Sequence, residues 1–238
     1  MIAASTAKVK MVCVDLVSVC LPARNEAATV GTIVERIVAL DVVDEVMVVD
    51  DASTDGTARV AEAAGATVVP CDGAGKGAAL WTGLQAAKGD LLVFCDADLV
   101  DFNPAFVLGL LAPLQADARI GFVKGRYERL GEAGRVTELV ARPVIDLLFP
   151  HLGGFAQPLA GEFAARREVL EPLTFASGYG VDIALLIDVV AAIGLERTAQ
   201  ADLGVKRHRN RPLAELRVQA REVLHAALSR AADWPASA

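Results

Sequence analysis

The stretches VVDDASTDGT at residues 48–57 and LLVFCDADLV at residues 91–100 are the strongest indication of the fold of this chain. In each stretch an apolar run typical of a buried strand stops abruptly at acidic residues. The carboxyl ends of parallel strands meet at one edge of a sheet, and this edge is where such sheets bind ligands. The two stretches therefore predict a cluster of carboxylates at a ligand-binding edge.

Two aspartates separated by one residue, Asp96 and Asp98, end the second stretch. Oxygen ligands in this arrangement can hold a divalent cation, which then needs an anionic partner. A nucleotide diphosphate is the natural partner, and Asp50 and Asp51 can accept hydrogen bonds from its ribose or from a pyrimidine ring. The alternative is that solvated aspartates simply follow the strand.

Outward from these two stretches, strand-like apolar runs alternate with helical patterns along the chain. Strands are predicted over 12–21, 45–49, 66–69, 91–95, 119–127 and 196–205. Helices are predicted over 27–40, 54–64, 76–87, 136–149 and 181–193, with a short helix opening at Pro104 and an amphipathic one over 212–232. This alternation implies right-handed crossovers and a mostly parallel sheet with helices on both faces.

The composition of the 238-residue chain limits the functions to consider. Hydrophobic residues make up 54%, which allows a large core, and a formal charge of −7 argues against general nucleic-acid binding. The scattered Cys13, Cys20, Cys71 and Cys95 indicate buried free thiols of a cytoplasmic protein. No apolar run reaches bilayer-spanning length without interruption, so we expect a soluble protein.

Two loops at the predicted edge have both a functional and a structural interpretation. The PARNE segment, Pro22–Glu26, can cup a nucleobase and ribose, or Asn25 can cap the following helix. The GAGKG segment at 73–77 places Lys76 near a helix N-terminus, which suits an anion. It is not a P-loop, because Pro70 stands at the position of the first glycine, and a plain loop is the alternative.

Two further segments carry charge in the second half of the chain. LGVKRHRNRPL at 203–213 is strongly basic and can bind an anionic acceptor or leaving group, or be a solvated loop. A neutral His208 in this segment can ligate the cation, which would favour Mn²⁺ as well as Mg²⁺. Asp182 follows Gly-Tyr-Gly in the first turn of a helix, where it either compensates the helix dipole or contacts a ligand.

The second half carries a resemblance to a known family. The segments GRVTELVARP (134–143), QPLAGEFAARRE (157–168), GYGVDIALLID (178–188) and LGVKRHRNRPL (203–213) closely resemble the glucosyl-3-phosphoglycerate synthases. These enzymes are nucleotide-sugar glycosyltransferases of the GT-A class, whose sheet edge carries an Asp-x-Asp metal motif. The resemblance implies an α/β GT-A fold with a Rossmann-like, mostly parallel central sheet, and a retaining transfer of glucose, chiefly from UDP-glucose, to the 2-hydroxyl of 3-phosphoglycerate.

The same resemblance implies a division of the chain and a set of site residues. Residues 1–211 would form the GT-A domain, with a nucleotide-sugar half over about 12–100 and an acceptor half over about 101–211, and 212–238 would form a helical tail that packs on the body or on a second subunit. Site residues implied for the nucleotide sugar are Pro22, Ala23, Glu26, Asp51, Lys76, Asp96, Ala97, Leu159, Ala160 and Gly161. Those implied for the acceptor are Gly134, Arg135, Val136, Thr137, Tyr179, Lys206 and Asn210. Asp98 and His208 would ligate Mg²⁺ or Mn²⁺, and Asp182 and Glu162 would act at the reacting centre by orienting the reactants.

Two departures from the family pattern bear on the acceptor. The family usually has Glu at the position of Asp182 and Arg at the position of Lys206. Four alternatives stay open: another small anionic acceptor at the same nucleotide-sugar site, a polyprenyl-phosphate glycosyltransferase, a sugar-1-phosphate nucleotidyltransferase, and a non-catalytic binding protein for nucleotide sugars. The nucleotidyltransferase predicts a Gly-rich basic loop after the first strand, where PARNE stands instead.

Overall fold

Seven strands form one central sheet in this computed structural model, which describes residues 15–129, 134–206 and 213–231. The strands are β1 (Val17–Ala23), β2 (Glu45–Asp51), β3 (Thr67–Cys71), β4 (Leu91–Phe94), β5 (Phe122–Arg129), β6 (Phe163–Arg166) and β7 (Thr198–Lys206). The helices are α1 (Val30–Val38), α2 (Thr57–Ala63), α3 (Lys76–Ala86), α4 (Ala105–Ala116), α5 (Arg142–Leu148), α6 (Arg167–Leu170), α7 (Val181–Ile193) and α8 (Leu213–Ala231).

The strand order is β3-β2-β1-β4-β6-β5-β7. The first four strands in this order are parallel, as predicted, and β5 also pairs with β7 in parallel. Strand β6 is the exception, because it runs antiparallel to both β4 and β5. The parallel strands deliver their carboxyl ends to one edge, where Ala23 lies beside Asp50 in register.

Each face of the sheet carries its own core. Along β1, Val19 and Leu21 belong to one core and Cys20 to the other, which is the alternation that a doubly covered strand produces. Helices α1, α2 and α4 cover the first face, and α3, α5, α7 and α8 cover the second. Because both faces of the sheet are buried, the sequences of the central strands are continuous runs of mostly apolar residues.

Several predicted boundaries differ from those of the structure for local reasons. Strand β1 begins at Val17 rather than at residue 12, although 12–14 lie outside the described residues. The predicted helix over 136–149 is divided into a π-helical turn, Thr137–Ala141, and α5. Pro143 has no backbone N–H and its ring crowds the preceding turn, which explains the wider helical turn before it.

Helix α8 packs onto the body of the protein, which is one of the two arrangements predicted for the C-terminal helix. Its Val223, Ala226 and Ala227 are buried in the second core. Arg230 donates two hydrogen bonds to the Asp188 carboxylate on α7, at 2.7 and 2.6 Å. Among the described residues, no helix is long and apolar enough to cross a membrane.

Candidate active site

A cleft of about 1280 Å³ lies at the carboxyl edge of β1, β2 and β4. Loops that follow these strands form one wall, and the turn before α7, the segment at 134–137 and helix α8 form the rest. The predicted site residues that line the cleft are Pro22, Ala23, Glu26, Asp51, Lys76, Asp96, Ala97, Asp98, Gly134, Arg135, Val136, Thr137, Leu159, Tyr179 and Asp182. The structure therefore brings most of both predicted groups to one cavity.

Four predicted residues lie behind the cleft rather than on its lining, and two lie outside the described residues. Ala160 and Glu162 are both fully buried, and Lys206 is 3% exposed. Gly161 lies so close to the site that a Cβ there would be 2.2 Å from Asp96 Oδ1 and 2.7 Å from Lys76 Nζ. His208 and Asn210 are the two predicted residues outside the described range.

The loops after β1 and β2 are joined by hydrogen bonds. The Asn25 backbone N–H donates to Ser53 Oγ at 2.9 Å, and the Thr54 backbone N–H donates to Asn25 Oδ1 at 2.8 Å. The Glu26 backbone N–H donates to Thr57 Oγ1 at 2.9 Å. Asn25 thus joins two loops instead of capping α1, so the helix-capping interpretation of this residue is wrong.

Asp51, at the end of β2, lines the cleft and is nearly buried. Its Oδ1 accepts a hydrogen bond from the Gly75 backbone N–H at 3.4 Å, and Arg24 Nη1 lies 3.7 Å from its Oδ2. The GAGKG segment is therefore held against the end of β2. Lys76, the first residue of α3, directly follows Gly75 of this segment.

Asp96 lies between two lysines. Lys76 Nζ is 3.4 Å from Asp96 Oδ1, and Lys206 Nζ is 3.1 Å from Asp96 Oδ2. Burial opposes the ionised form of Asp96, yet the two ammonium groups outweigh burial and hold its pKa well below the usual range. The two ammonium groups also repel a cation at Asp96, and ligation of the cation by Asp98 and His208 stays a prediction.

Lys206 also pairs with the Glu162 carboxylate, and its Nζ lies 5.0 Å from the centroid of the Tyr127 ring. Burial, the largest effect, raises the pKa of Glu162, and the Lys206 charge opposes this rise. The contact between Lys206 and the acceptor stays a prediction. The ion pairs give this side chain a second role, which is to hold two acidic residues behind the cleft.

Asp182 is held by two lysines from different elements. Lys76 Nζ donates to Asp182 Oδ2 at 2.9 Å, and Lys124 Nζ donates to the Asp182 backbone carbonyl at 3.3 Å. Burial raises the pKa of Asp182, whereas the charges of Lys76 and Lys124 lower it. The Oδ1 atom of Asp182 is buried and accepts no hydrogen bond from the described residues.

Neither Lys124 nor the contribution of α8 to the cleft was predicted from the sequence. Lys124 is a single lysine within an otherwise apolar part of β5, and a charge in a buried strand is the signal that would have indicated it. Helix α8 supplies Gln219, Glu222 and His225 to the cleft lining. Its register against the body depends on packing that no local pattern shows.

The described residues fit a divalent cation shared with a bound diphosphate, but not one enclosed by protein alone. Within 15–129, 134–206 and 213–231, no three His, Cys, Asp or Glu side chains are placed to hold a metal ion. Mg²⁺ and related cations are often bound by one or two carboxylates together with substrate phosphates. Asp98, on the lining of the cleft, suits that pattern.

Known proteins share both the sequence and the fold of this chain. Residues 18–173 match the family model described as Glycosyl transferase family 2. The glucosyl-3-phosphoglycerate synthase of Mycolicibacterium paratuberculosis is 46% identical over 236 residues, which cover 90% of this chain and 72% of that protein.

Two solved structures are similar over most of the chain. Glucosyl-3-phosphoglycerate synthase from Mycobacterium tuberculosis, in complex with Mn²⁺, UDP-glucose and phosphoglyceric acid, has a TM-score of 0.86 and 47% identity, covering 94% of this chain and 81% of the other. Mannosyl-3-phosphoglycerate synthase from Rubrobacter xylanophilus has a TM-score of 0.88 and 42% identity, covering 91% and 74%. The resemblance and the α/β GT-A fold predicted from the sequence are confirmed.

Proposed function

The chain belongs to glycosyl transferase family 2 and is a nucleotide-sugar glycosyltransferase, and we propose that it transfers glucose from UDP-glucose to the 2-hydroxyl of 3-phosphoglycerate. One observation carries this proposal. The nucleotide-sugar residues Asp51 and Lys76 and the acceptor segment at 134–137 line a single cleft. Both substrates can therefore meet in it, and that hydroxyl is the only free one on the acceptor.

The nucleotide side of the cleft suits a uridine diphosphate. Pro22 and Ala23 line it with backbone and apolar surface, and Asp51 places carboxylate oxygens at the end of β2. A carboxylate accepts the N–H of a uracil ring, which favours a base with such a donor. Lys76 at the N-terminus of α3 adds positive charge for the phosphates.

The acceptor side suits a small anion. Arg135 and Thr137 line the cleft there and offer a guanidinium group and a hydroxyl, both of which bind phosphate or carboxylate oxygens. In the sequence, the basic segment RHRNR at 207–211 comes directly after β7. These groups support an acceptor with phosphate and carboxylate charges in an otherwise acidic protein.

A divalent cation completes the proposed site. Asp98 would hold it, with His208 as the predicted second ligand and the diphosphate oxygens as the others. When bound, the cation supplies positive charge beside the diphosphate, whose negative charge grows as the sugar bond breaks. Lys76 lines the same cleft and would add positive charge there.

The ion pairs favour front-face substitution over a covalent intermediate. Lys76 engages Asp182, and Lys206 engages Glu162, so neither carboxylate is a ready nucleophile for the sugar. In the proposed step, the acceptor oxygen bonds to the anomeric carbon while the bond to the diphosphate oxygen breaks. That phosphate oxygen takes the acceptor proton, and the configuration at the anomeric carbon is retained.

Asp182 orients the reactants in this step. Its Oδ1 atom has no hydrogen-bond partner within the described part of the chain, and a buried acceptor without such a bond is costly. A sugar or acceptor hydroxyl would supply the missing bond. Because Asp182 is one methylene shorter than the Glu usual in the family, the hydroxyl must approach α7 more closely.

The test is an assay of UDP release with UDP-glucose, Mn²⁺ and 3-phosphoglycerate, with the product identified by mass. We expect turnover that disappears with EDTA and returns when Mn²⁺ is added. The Asp98→Ala variant should lose on the order of 100-fold in rate, because a group that stabilises transition-state charge contributes several kcal/mol. Asp146→Ala, which changes an exposed aspartate on α5, is the matched control and should keep full activity.

The choice of sugar and acceptor is tested in the same assay. GDP-mannose is included because one similar structure is a mannosyl-3-phosphoglycerate synthase. A panel of other small anionic acceptors and a polyprenyl phosphate covers the remaining alternatives. Transfer to one of these but not to 3-phosphoglycerate would replace the proposed acceptor, and binding without turnover would support the non-catalytic alternative.

We also propose that Asp96–Asp98 is an Asp-x-Asp motif whose Asp98 ligates the cation, that the protein is cytoplasmic, and that it forms a homodimer. Free thiols at Cys20, Cys71 and Cys95 are compatible with a reducing compartment. Exposed apolar side chains on α5 and α8, among them Leu147 and Leu228, support contact with a second copy. Analytical ultracentrifugation of the purified protein tests the dimer, and a single monomeric species at assay concentration would contradict it.

A further inference from the structure

Lys124 is a buried lysine to which neither the predicted site nor the proposed reaction assigns a role. It belongs to β5, where it pairs with Phe163 of β6 on one side and with Gln200 of β7 on the other. The residue is 1% exposed. An ammonium group so deep in a sheet is costly unless other groups compensate its charge, so its presence calls for a physical reason.

The contacts of Lys124 lead to the reacting centre. Its Nζ donates to the backbone carbonyl of Asp182 at 3.3 Å and lies 5.6 Å from the centroid of the Phe163 ring. Asp182 is the second residue of α7. Lys124 thereby ties the first turn of α7 to the sheet, while Lys76 of α3 separately holds the Asp182 carboxylate.

We propose that Lys124 is a positioning residue, which holds the backbone of Asp182 so that the Asp182 carboxylate stays aligned with Lys76 and with the bound sugar. This inference rests on the proposed transfer reaction. The hydrogen bond goes to the main chain, so a change at Lys124 moves Asp182 without removing a group that contacts substrate. Small misplacements of an orienting group are enough to reduce the rate strongly.

Lys124 also contributes to the charge balance behind the cleft. The charged groups that act on it are Asp182 on α7, Lys76 on α3, Glu162 before β6 and Asp96 after β4. Burial is the largest effect and lowers the pKa of Lys124 to about 8, with the Lys76 charge acting in the same direction and the three carboxylates opposing. As the pH rises through 8, Asp182 loses a positive neighbour that favours its ionised form.

The Lys124→Met variant keeps an unbranched side chain, one heavy atom shorter, and removes the charge and the hydrogen bond. We expect kcat at pH 7 to fall on the order of tenfold, with the KM for UDP-glucose changed less than about twofold, because orientation is lost and binding contacts are kept. Lys88→Met, at an exposed position, is the control and should leave both constants unchanged. A Lys124→Met enzyme that folds and keeps its kcat would overturn the proposal.

The pH profile separates positioning from a merely structural role. The wild-type kcat should decline above about pH 8, and this decline should be absent in Lys124→Met, whose activity is already low. In Lys124→Arg, which stays charged, the decline should move to higher pH. A Lys124→Met variant with a lower melting temperature but an unchanged alkaline decline would show that Lys124 only stabilises the fold.

A titration that does not depend on activity distinguishes this inference from the proposed reaction. The side-chain signal of a lysine-labelled protein that disappears in Lys124→Met is followed by NMR, and its midpoint should lie near pH 8. Asp182→Asn removes a nearby negative charge and should lower that midpoint. Absence of turnover in the wild type refutes the proposed reaction, whereas a midpoint above 10 or no response to Asp182→Asn refutes the coupling of Lys124 to Asp182.

Discussion

Two residues at the nucleotide edge take backbone conformations that L-amino acids rarely adopt. Asn25 has a φ of 58° and Ala52 a φ of 56°. The Asn25 side chain compensates by accepting a hydrogen bond from the Thr54 backbone N–H. Ala52 has no such group, and its conformation follows from the tight turn in which its own N–H donates to the Asp50 carbonyl at 3.0 Å. Strain of this kind is typical of ligand-binding loops.

Replacing Ala52 by glycine should therefore stabilise the protein. The left-handed conformation costs alanine about 1 kcal/mol or more, while glycine loses roughly 0.4–1 kcal/mol through the entropy of the unfolded chain. We expect a net gain of about 0.5 kcal/mol, measured by denaturant unfolding. Ala191→Gly, at an exposed position of α7, is the control and should lower stability by up to about 1 kcal/mol. An equal loss of stability in Ala52→Gly and Ala191→Gly would show that the backbone at Ala52 is not strained.

At the scale of elements, the N-terminus of α3 and the segment before α7 support one another. A Cβ on Gly77 would lie 1.8 Å from the Ala176 carbonyl oxygen, so the two backbones touch. On the other side of that segment, Glu222 of α8 accepts a hydrogen bond from the Tyr179 backbone N–H at 2.8 Å. Three helices thus fix the relative positions of Lys76 and Asp182, and the active-site ion pair depends on their packing.

The Gly77→Ala substitution tests this packing. The added methyl cannot fit unless α3 or the facing segment moves, so we expect a loss of roughly 2 kcal/mol in stability together with a fall in turnover. Gly109→Ala on α4 is the matched control, because its Cβ would lie 3.7 Å from Leu203, an ordinary contact. It should raise stability by about 0.5 kcal/mol through helix propensity. Melting curves and the UDP-release assay are measured for both variants. A Gly77→Ala protein as stable and as active as Gly109→Ala would contradict the close packing at Gly77.

At the scale of the whole molecule, α8 is part of the body that forms the cleft. It contributes Val223, Ala226 and Ala227 to the second core and lines the cavity with Glu222. The division of the chain at residue 211 stays a prediction, and the packing of α8 agrees with a helical tail that lies on the body. Removal of α8 would expose the apolar surface of α7 that these side chains cover.

A chain ending at residue 212 should accordingly fold poorly. Because the second core would lose its cover, we expect a broadened unfolding transition at lower temperature, binding of a hydrophobic dye and loss of turnover. Calorimetry and dye fluorescence of the truncated and full-length proteins provide the comparison. A truncated protein that melts cooperatively within a few degrees of the full chain would show that the second core does not need α8.

The sequence predicted the ends of helices and strands where a local run of apolar residues marks them. Helix α7 begins and ends where its apolar run predicts, and β4 stops at the acidic motif within one residue. The antiparallel direction of β6 was not predicted, because its four residues carry no signal of orientation and only the neighbouring strands determine it. The start of α2 was also missed, since Asp55 uses its side chain to bind Thr57 and delays the helix.

By itself, the sequence determined that carboxylates follow two buried strands and that a parallel sheet brings them to one edge, because apolar runs and their ends are local properties of the chain. Only the tertiary structure decided which lysines pair with those carboxylates. Lys76 and Lys206, which are far apart in sequence, both reach Asp96. Lys124 reaches Asp182 from a third element. The charge and burial of a side chain depend on its distances to other groups in three dimensions, and these distances cannot be inferred from spacing along the chain.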